Sequence, residues 1–129
     1  MEHLIPSASA LIIHKGKVLF VRSTTTQEQW AFPSGKQESN ETPQQAVSRE
    51  LKEELGIDIE IKGELGSFVY HSAIRKYEIK CFIVETGGSF DLTPDPDEII
   101  EVRWVMLEES IDLDLTSTTR EALEKYTST

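Results

Sequence analysis

Residues 35–57 read GKQESNETPQQAVSRELKEELGI. The stretch has the grammar of a loop entering a helix. Thr42 is placed as an N-cap, Pro43 suits the first helical position, and Gln45 completes a T-x-x-Q capping box. Val47, Leu51 and Leu55 recur every four residues and give the helix one apolar stripe. Gly56 is the expected stop. Glu50, Glu53 and Glu54 do not share that stripe. At about 100° per residue, Glu53 and Glu54 fall about 60° behind and 40° ahead of Glu50, so the three carboxylates share one face. Like charges at such spacings cost a few tenths of a kcal/mol per pair. A solvated acidic face is the ordinary reading of ELKEEL alone. Two more carboxylates, Glu38 and Glu41, stand in the entry loop. Five carboxylates approaching one helix are what a hard divalent cation requires, and Mg²⁺ combines a few carboxylates with water and substrate phosphate oxygens.

Working outward, ASALIIHKGKVLFVR reads as a hairpin around Lys15-Gly16-Lys17. STTTQEQWAFPSGKQESNE is polar and too long for a simple turn, which marks a functional loop. After the helix, IDIEIKG, LGSFVYHSA and KYEIKCFIVET each read as strands. Gly87-Gly88 and Pro94/Pro96 mark a loop, and IIEVRWVML is another strand. STTREALEKY is a helix capped by Ser117 or Thr118. Strands dominate, with one helix in the middle and one at the end, which is a mixed α/β or α+β sandwich. The 129 residues suit one domain, 1–129.

Composition removes several functions. A net charge of −10 disfavours general nucleic-acid binding, since affinity for a phosphate backbone rests on Lys and Arg. No apolar run approaches the roughly 20 residues of a membrane span. The N-terminus lacks the basic region of a signal peptide and reads as a first strand. Cys81 is the only cysteine, so no internal disulfide forms. Its apolar surroundings suit a small buried thiol, and a reducing cytoplasm fits. His3, His14 and His71 are scattered and make no zinc-binding pair, and no Ser/His triad spacing is present.

Gly35, Glu41 and the run Arg49-Glu50-Leu51-Lys52-Glu53-Glu54-Leu55-Gly56-Ile57 are spaced as G-x5-E-x7-R-E-U-x-E-E-x-G-U, with U aliphatic. This resembles the signature of the Nudix hydrolases, with every fixed position filled. The opening hairpin, the Trp30-x-Phe32-Pro33 run and the late Glu101-x-Arg103-Trp104-Val105 strand look like the usual Nudix surroundings. Two positions depart from the common pattern: Ser34 precedes Gly35 where many members have a second glycine, and Asn40 replaces the glycine often found before the first box glutamate. Asparagine tolerates the left-handed backbone such a turn can need.

The resemblance implies a mixed sheet between helices, with the box as loop–helix–loop. It implies hydrolysis of a nucleoside diphosphate linked to another moiety, X. The expected substrate is a nucleoside triphosphate or related nucleotide. The alternatives are ADP-ribose or another nucleotide sugar, a dinucleoside polyphosphate, or a catalytically silent nucleotide-binding module. The implied cofactor is Mg²⁺, with Mn²⁺ as a substitute. Carried over by position, Glu50 and Glu54 are the first metal ligands, Glu53 follows, and Glu41 serves a further ion directly or through water. Gly35 supplies a backbone carbonyl or the turn. Arg49 holds a box glutamate by a charge-assisted hydrogen bond. Glu50 or Glu53 is the base that deprotonates the attacking water. Asp97, Glu98 and Glu101 are outside carboxylates that can join the site. Such proteins occur as monomers or homodimers.

X is less legible. Arg22 and Lys36 are candidates for phosphate contact, Phe32 for contact with a base, and Glu98 for the substrate side of the site. Arg75 and Lys76 are further cations read as solvated surface. Trp30, Phe68, Tyr70 and Tyr77 are aromatic candidates whose strand positions favour a core role, as does that of Phe32. Tyr70 and Tyr77 fall on either side of the tyrosine spacing expected of dinucleoside polyphosphate hydrolases.

Overall fold

Lys15 and Gly16 both take positive φ, 51° and 78°. That is the backbone of a tight two-residue hairpin turn. It joins β1 (Leu4–His14) to β2 (Lys17–Ser23), with Ile13 opposite Val18 and His14 opposite Lys17. The two strands then part. The segment 30–36 wedges between them: Ala31 bridges Val21, Ala10 N–H donates to Pro33 C=O, and β3 (Ser34–Lys36) pairs antiparallel with Ser7–Ser9. The segment expected as loop therefore carries a short strand, β3. Its short strand pairing carries Gly35 to the side of Ala8 in the sheet.

The computed structural model describes residues 3–86 and 91–128. The expected loop glycines 87 and 88 lie outside them. After β3 comes α1 (Pro43–Leu55), then β4 (Ile59–His71), β5 (Lys76–Thr86) and β6 (Ile99–Met106). A short 3-10 turn (Leu107–Asp112) leads to α2 (Ser117–Thr127). The sheet runs β4-β5-β1-β2-β6, with β1 and β5 parallel and the other pairs antiparallel.

IDIEIKG and LGSFVYHSA are not two strands. They form one, β4, whose pairing with β5 slips between Ile61 and Gly63 and again between Glu64 and Gly66. Glycine here marks bulges rather than an end.

A helix covers each side of the sheet. Ala46, Val47, Leu51 and Leu55 of α1 pack on Ala8, Ala10 and Ile12 of β1. Ala122 and Leu123 of α2 belong to a second cluster with Leu11, Phe20, Phe32 and Cys81. Adjacent residues of β1 therefore serve opposite cores, as the period of two requires. This is the expected mixed α+β sandwich. Cys81 is buried, and burial pushes its thiol up to about 11. Among the described residues, no helix is long and apolar enough to cross a membrane.

Candidate active site

The capping box forms with both of its bonds. Gln45 N–H donates to Thr42 Oγ1 at 3.1 Å, and Thr42 N–H donates to Gln45 Oε1 at 2.9 Å. Gly56 closes α1 in the left-handed region at φ 70°. Asn40 does not adopt positive φ, so the turn before Glu41 forms without the conformation a glycine would offer.

Arg49 gathers the outer carboxylates. Its Nε and Nη2 each donate to one oxygen of Glu41 at 2.8 Å. Nη1 donates to Glu50 at 2.8 Å and to Glu53 at 3.3 Å, and Nη2 also reaches the carbonyl of Lys36 at 3.0 Å. Glu41, whose side chain is only 10% exposed, also accepts the N–H of Glu38. The Arg49 hydrogen bonds, together with that backbone donor, hold the Glu41 carboxyl down at about 2. Hydrogen bonding to Glu41 first, and then to Glu50, raises the Arg49 pKa. One guanidinium thus ties the entry loop, β3 and the acidic face of α1 into one rigid unit.

Glu50 and Glu54 face the other way, into a cavity of about 370 Å³ where β1 and β2 part. Gly35 lines it too, and a Cβ there would collide with the Glu50 carboxyl group. Glu54 is 8% exposed. Burial first, then the charge of Glu50 and hydrogen bonding with Glu98, push its carboxyl far above the usual range. Glu98 arrives on the 91–98 loop, whose backbone is strapped to the end of α1. Thr93 N–H donates to Leu55 C=O and Asp95 N–H donates to Glu54 C=O, both at 2.8 Å. Asp95 C=O accepts the N–H of Glu98, and Thr24 N–H donates to Glu98 C=O.

Lys36 and Phe32 line this cavity beside Gly35, Glu50, Glu54 and Glu98. Arg49, Glu41 and Glu53 stand behind it, and the Glu53 side chain is 60% exposed. Arg22 lies elsewhere. It is ion-paired to Glu101 at 2.8 Å, donates to Gln27 C=O and stacks on Trp30. Glu101 is committed to that pair, and Asp97 caps its own turn by donating its N–H to Asp95 Oδ1. Arg75 and Lys76 are also outside the cavity. Of the aromatics expected in the core, Trp30 and Phe32 are there and Phe68 packs against it. Tyr70 and Tyr77 belong to neither core. They face each other across β4 and β5, half-buried, on the cavity wall. Ser7, Thr24, Thr118 and Thr119 also line the cavity. Isolated hydroxyl residues carry no motif, so nothing in the sequence marks their place on the cavity wall.

Among the described residues, no three His, Cys, Asp or Glu side chains already converge as a complete metal site. The donor chemistry still fits a hard cation. Glu50, Glu54 and Glu98 present carboxylate oxygens to one cavity, and Glu54 reaches both of the others. A divalent cation would supply the positive charge that Glu54 and Glu98 lack among the described residues, Glu50 having Arg49 on one oxygen.

A family model described as NUDIX domain matches residues 3–126. A Nudix hydrolase of Listeria monocytogenes, itself uncharacterised, is 33% identical over 119 residues, 84% of this chain and 70% of that protein. An 8-oxo-dGTP diphosphatase of Proteus vulgaris is 67% identical over 30 residues, 23% of this chain and 27% of that protein. The crystal structure of a MutT Nudix hydrolase from Burkholderia pseudomallei is similar at a TM-score of 0.85 and 26% identity, covering 96% of this chain and 98% of that one.

Proposed function

The chain belongs to the Nudix hydrolases, which act on pyrophosphate bonds of nucleotides, and from that premise we propose that it cleaves a diphosphate linkage in a nucleoside triphosphate or related nucleotide with Mg²⁺, Mn²⁺ serving as a substitute. The observation that carries the reading is the inner carboxylate trio, Glu50, Glu54 and Glu98, gathered on one cavity with Gly35 and Lys36.

Glu54 and Glu98, which both line the cavity, would hold the cation. When bound, Mg²⁺ supplies charge neutralisation for the diphosphate oxygens and acidifies water. Glu50 accepts the proton of the attacking water. It lines the cavity, whereas Glu53 does not, and Arg49 fixes one of its oxygens at 2.8 Å. The water oxygen forms a new bond to phosphorus as the bridging P–O bond breaks, and the proton passes from Glu50 to the departing phosphate. Lys36, exposed on β3, meets the phosphate charge. Arg49 and Glu41 act through Glu50 by keeping its carboxylate oriented.

Product release from nucleoside triphosphates, ADP-ribose and dinucleoside polyphosphates with and without Mg²⁺ tests the reading. We expect Mg²⁺-dependent turnover of one class, lost in Glu50→Gln and Glu54→Gln. Folded wild-type protein that turns over no member, or a Glu50→Gln variant with undiminished kcat, would refute it.

A further inference from the structure

β6 ends the sheet order, with β2 on one side and no described strand on the other. Natural sheets blunt such an edge with Lys, Pro, bulges or very short strands. The β6 sequence IIEVRWVM holds no lysine and no proline, and it is rich in β-branched and aromatic residues. Its pairing with β2 slips only at the Arg22/Ser23 step, near the start of the strand, and Glu101 to Met106 pair without a break. The opposite edge strand, β4, slips twice against its neighbour.

The backbone groups of β6 alternate in direction. Leu107 N–H donates to Gly16 C=O at the end of this ladder. By the alternation of an antiparallel pair, Val105, Arg103 and Glu101 also turn their backbone groups toward β2, and Val102 and Trp104 turn theirs to the open edge. The side chains alternate as well. Val102 and Trp104 pack on the α1-side core, and Glu101 and Arg103 stand on the other face, opposite Arg22 and Phe20. Glu101 gives Oε1 to Arg22, yet its side chain is still 50% exposed. Arg103 lies over the Trp30 ring at 5.9 Å and pairs with no carboxylate among the described residues.

A second copy laid antiparallel on this edge by a two-fold axis must match outward-facing residues with outward-facing residues. Near the middle of β6 the allowed axes pass through Glu101, Val102 or Arg103. The first sets Glu101 against itself and the last sets Arg103 against itself, and like charges directly opposite are destabilising. The axis through Val102 sets Glu101 opposite Arg103 of the second copy, on both sides of the axis. These are non-hydrogen-bonded positions, where opposed side chains approach most closely. Ile100, 53% exposed, then falls opposite Trp104 of the second copy.

We infer that β6 pairs antiparallel with β6 of a second copy of this chain, on a two-fold axis through Val102, and so continues the sheet across a homodimer. Val102 N–H and C=O exchange hydrogen bonds with those of the second copy's Val102. Glu101 keeps Arg22 on one oxygen and offers the other to the second copy's Arg103. The Glu-Val-Arg triplet sets the register, because it is complementary to itself only when antiparallel. No residue from 100 to 106 lines the cavity, so the contact leaves the cavity lining untouched. The inference stands independently of the bond the chain hydrolyses.

Sedimentation equilibrium over a series of protein concentrations tests it. Wild type should approach roughly twice its 14.6 kDa chain mass. Glu101→Arg and Arg103→Glu each place like charges opposite one another across the axis. Each variant alone should raise the dimer dissociation constant about tenfold or more. Mixed in equal amounts, the two variants oppose Arg to Glu at every such position, and the dimer should return. Val102→Pro removes an N–H that faces the open edge rather than β2, which an edge strand tolerates, so it should be folded and monomeric. Melting curves confirm that each variant is folded. Wild type that stays monomeric at the highest concentration, a dimer that survives both charge reversals, or folded variants that stay monomeric when mixed would overturn the inference.

Discussion

Gly35→Ala isolates the contact on which the proposed base depends. The glycine lies in β3 opposite Ala8, and a Cβ built on it would fall on the Glu50 carboxyl group. Carbon atoms settle at about 3.5–4 Å, so the carboxyl must retreat by roughly 1 Å or more. β3 is paired to β1 and cannot yield easily, so Glu50 moves. It then loses its 2.8 Å bond from Arg49 and its aim into the cavity. Overpacking of this kind costs about 1–3 kcal/mol of stability. A displacement near 1 Å at a reacting group costs on the order of 10²-fold in rate. Activity should therefore fall about a hundredfold in kcat, while the protein stays folded with a melting temperature lower by several degrees. Initial rates with saturating Mg²⁺ and a thermal melt would measure both. A variant with kcat within threefold of wild type would refute the argument, because it would mean that Glu50 is free to move without consequence or takes no part in the reaction.

Three further outcomes follow from the same geometry. Arg49→Lys keeps the charge but cannot bond both Glu41 oxygens and Glu50 together, so kcat/KM should drop at least tenfold; a value near wild type would show that charge alone suffices. In thermal melts, the contribution from Glu41 should be complete above the ordinary value near 4.5 and disappear as pH falls toward about 2, since its folded carboxyl is depressed; Glu41→Gln should lack that acid-side loss. Glu54 has the opposite sign: its raised folded carboxyl should make metal-free protein lose stability as pH climbs from about 4.5 toward about 9, and both Glu54→Gln and added Mg²⁺ should flatten that decline.

What was legible depended on whether the signal was local. The Thr42–Gln45 box, the Val47-Leu51-Leu55 stripe and the Gly56 stop are all set within one or two helical turns, and each is found as read. The cap of α2 was misplaced by one or two residues. In the hydroxyl run TSTT, Thr116, rather than Ser117 or Thr118, takes the cap position. Gly63 and Gly66 read as a break because a bulge is visible only when the partner strand β5 runs unbroken beside it. Arg22 and Lys36 looked alike as cations. Pairing with Glu101 on β6 removes the first from the cavity, and the pairing of β3 with β1 delivers the second to it. Glu98 was one of three candidates in an acidic loop. What singles it out is a set of backbone bonds to α1 and to Thr24, which no side-chain pattern encodes.

The acidic box therefore holds two populations with different remedies for repulsion. Glu41, Glu50 and Glu53 surround the guanidinium of Arg49, and their mutual repulsion is offset within the chain itself. Glu54 and Glu98 have no such cation among the described residues, and burial first, then the neighbouring carboxylates, push the Glu54 carboxyl toward its neutral form. A helix stabilised only as a solvated acidic surface would leave Glu54 exposed. Instead Glu54 is buried where its charge is least tolerable without a cation. Burial of the last box glutamate sets it apart from the carboxylates that Arg49 already pairs, and under the proposed reading it is the former that takes the cation. Glu50 belongs to both sets. One oxygen is fixed by Arg49 and the carboxylate still lines the cavity, which is the arrangement a general base needs: held in place, yet able to take a proton.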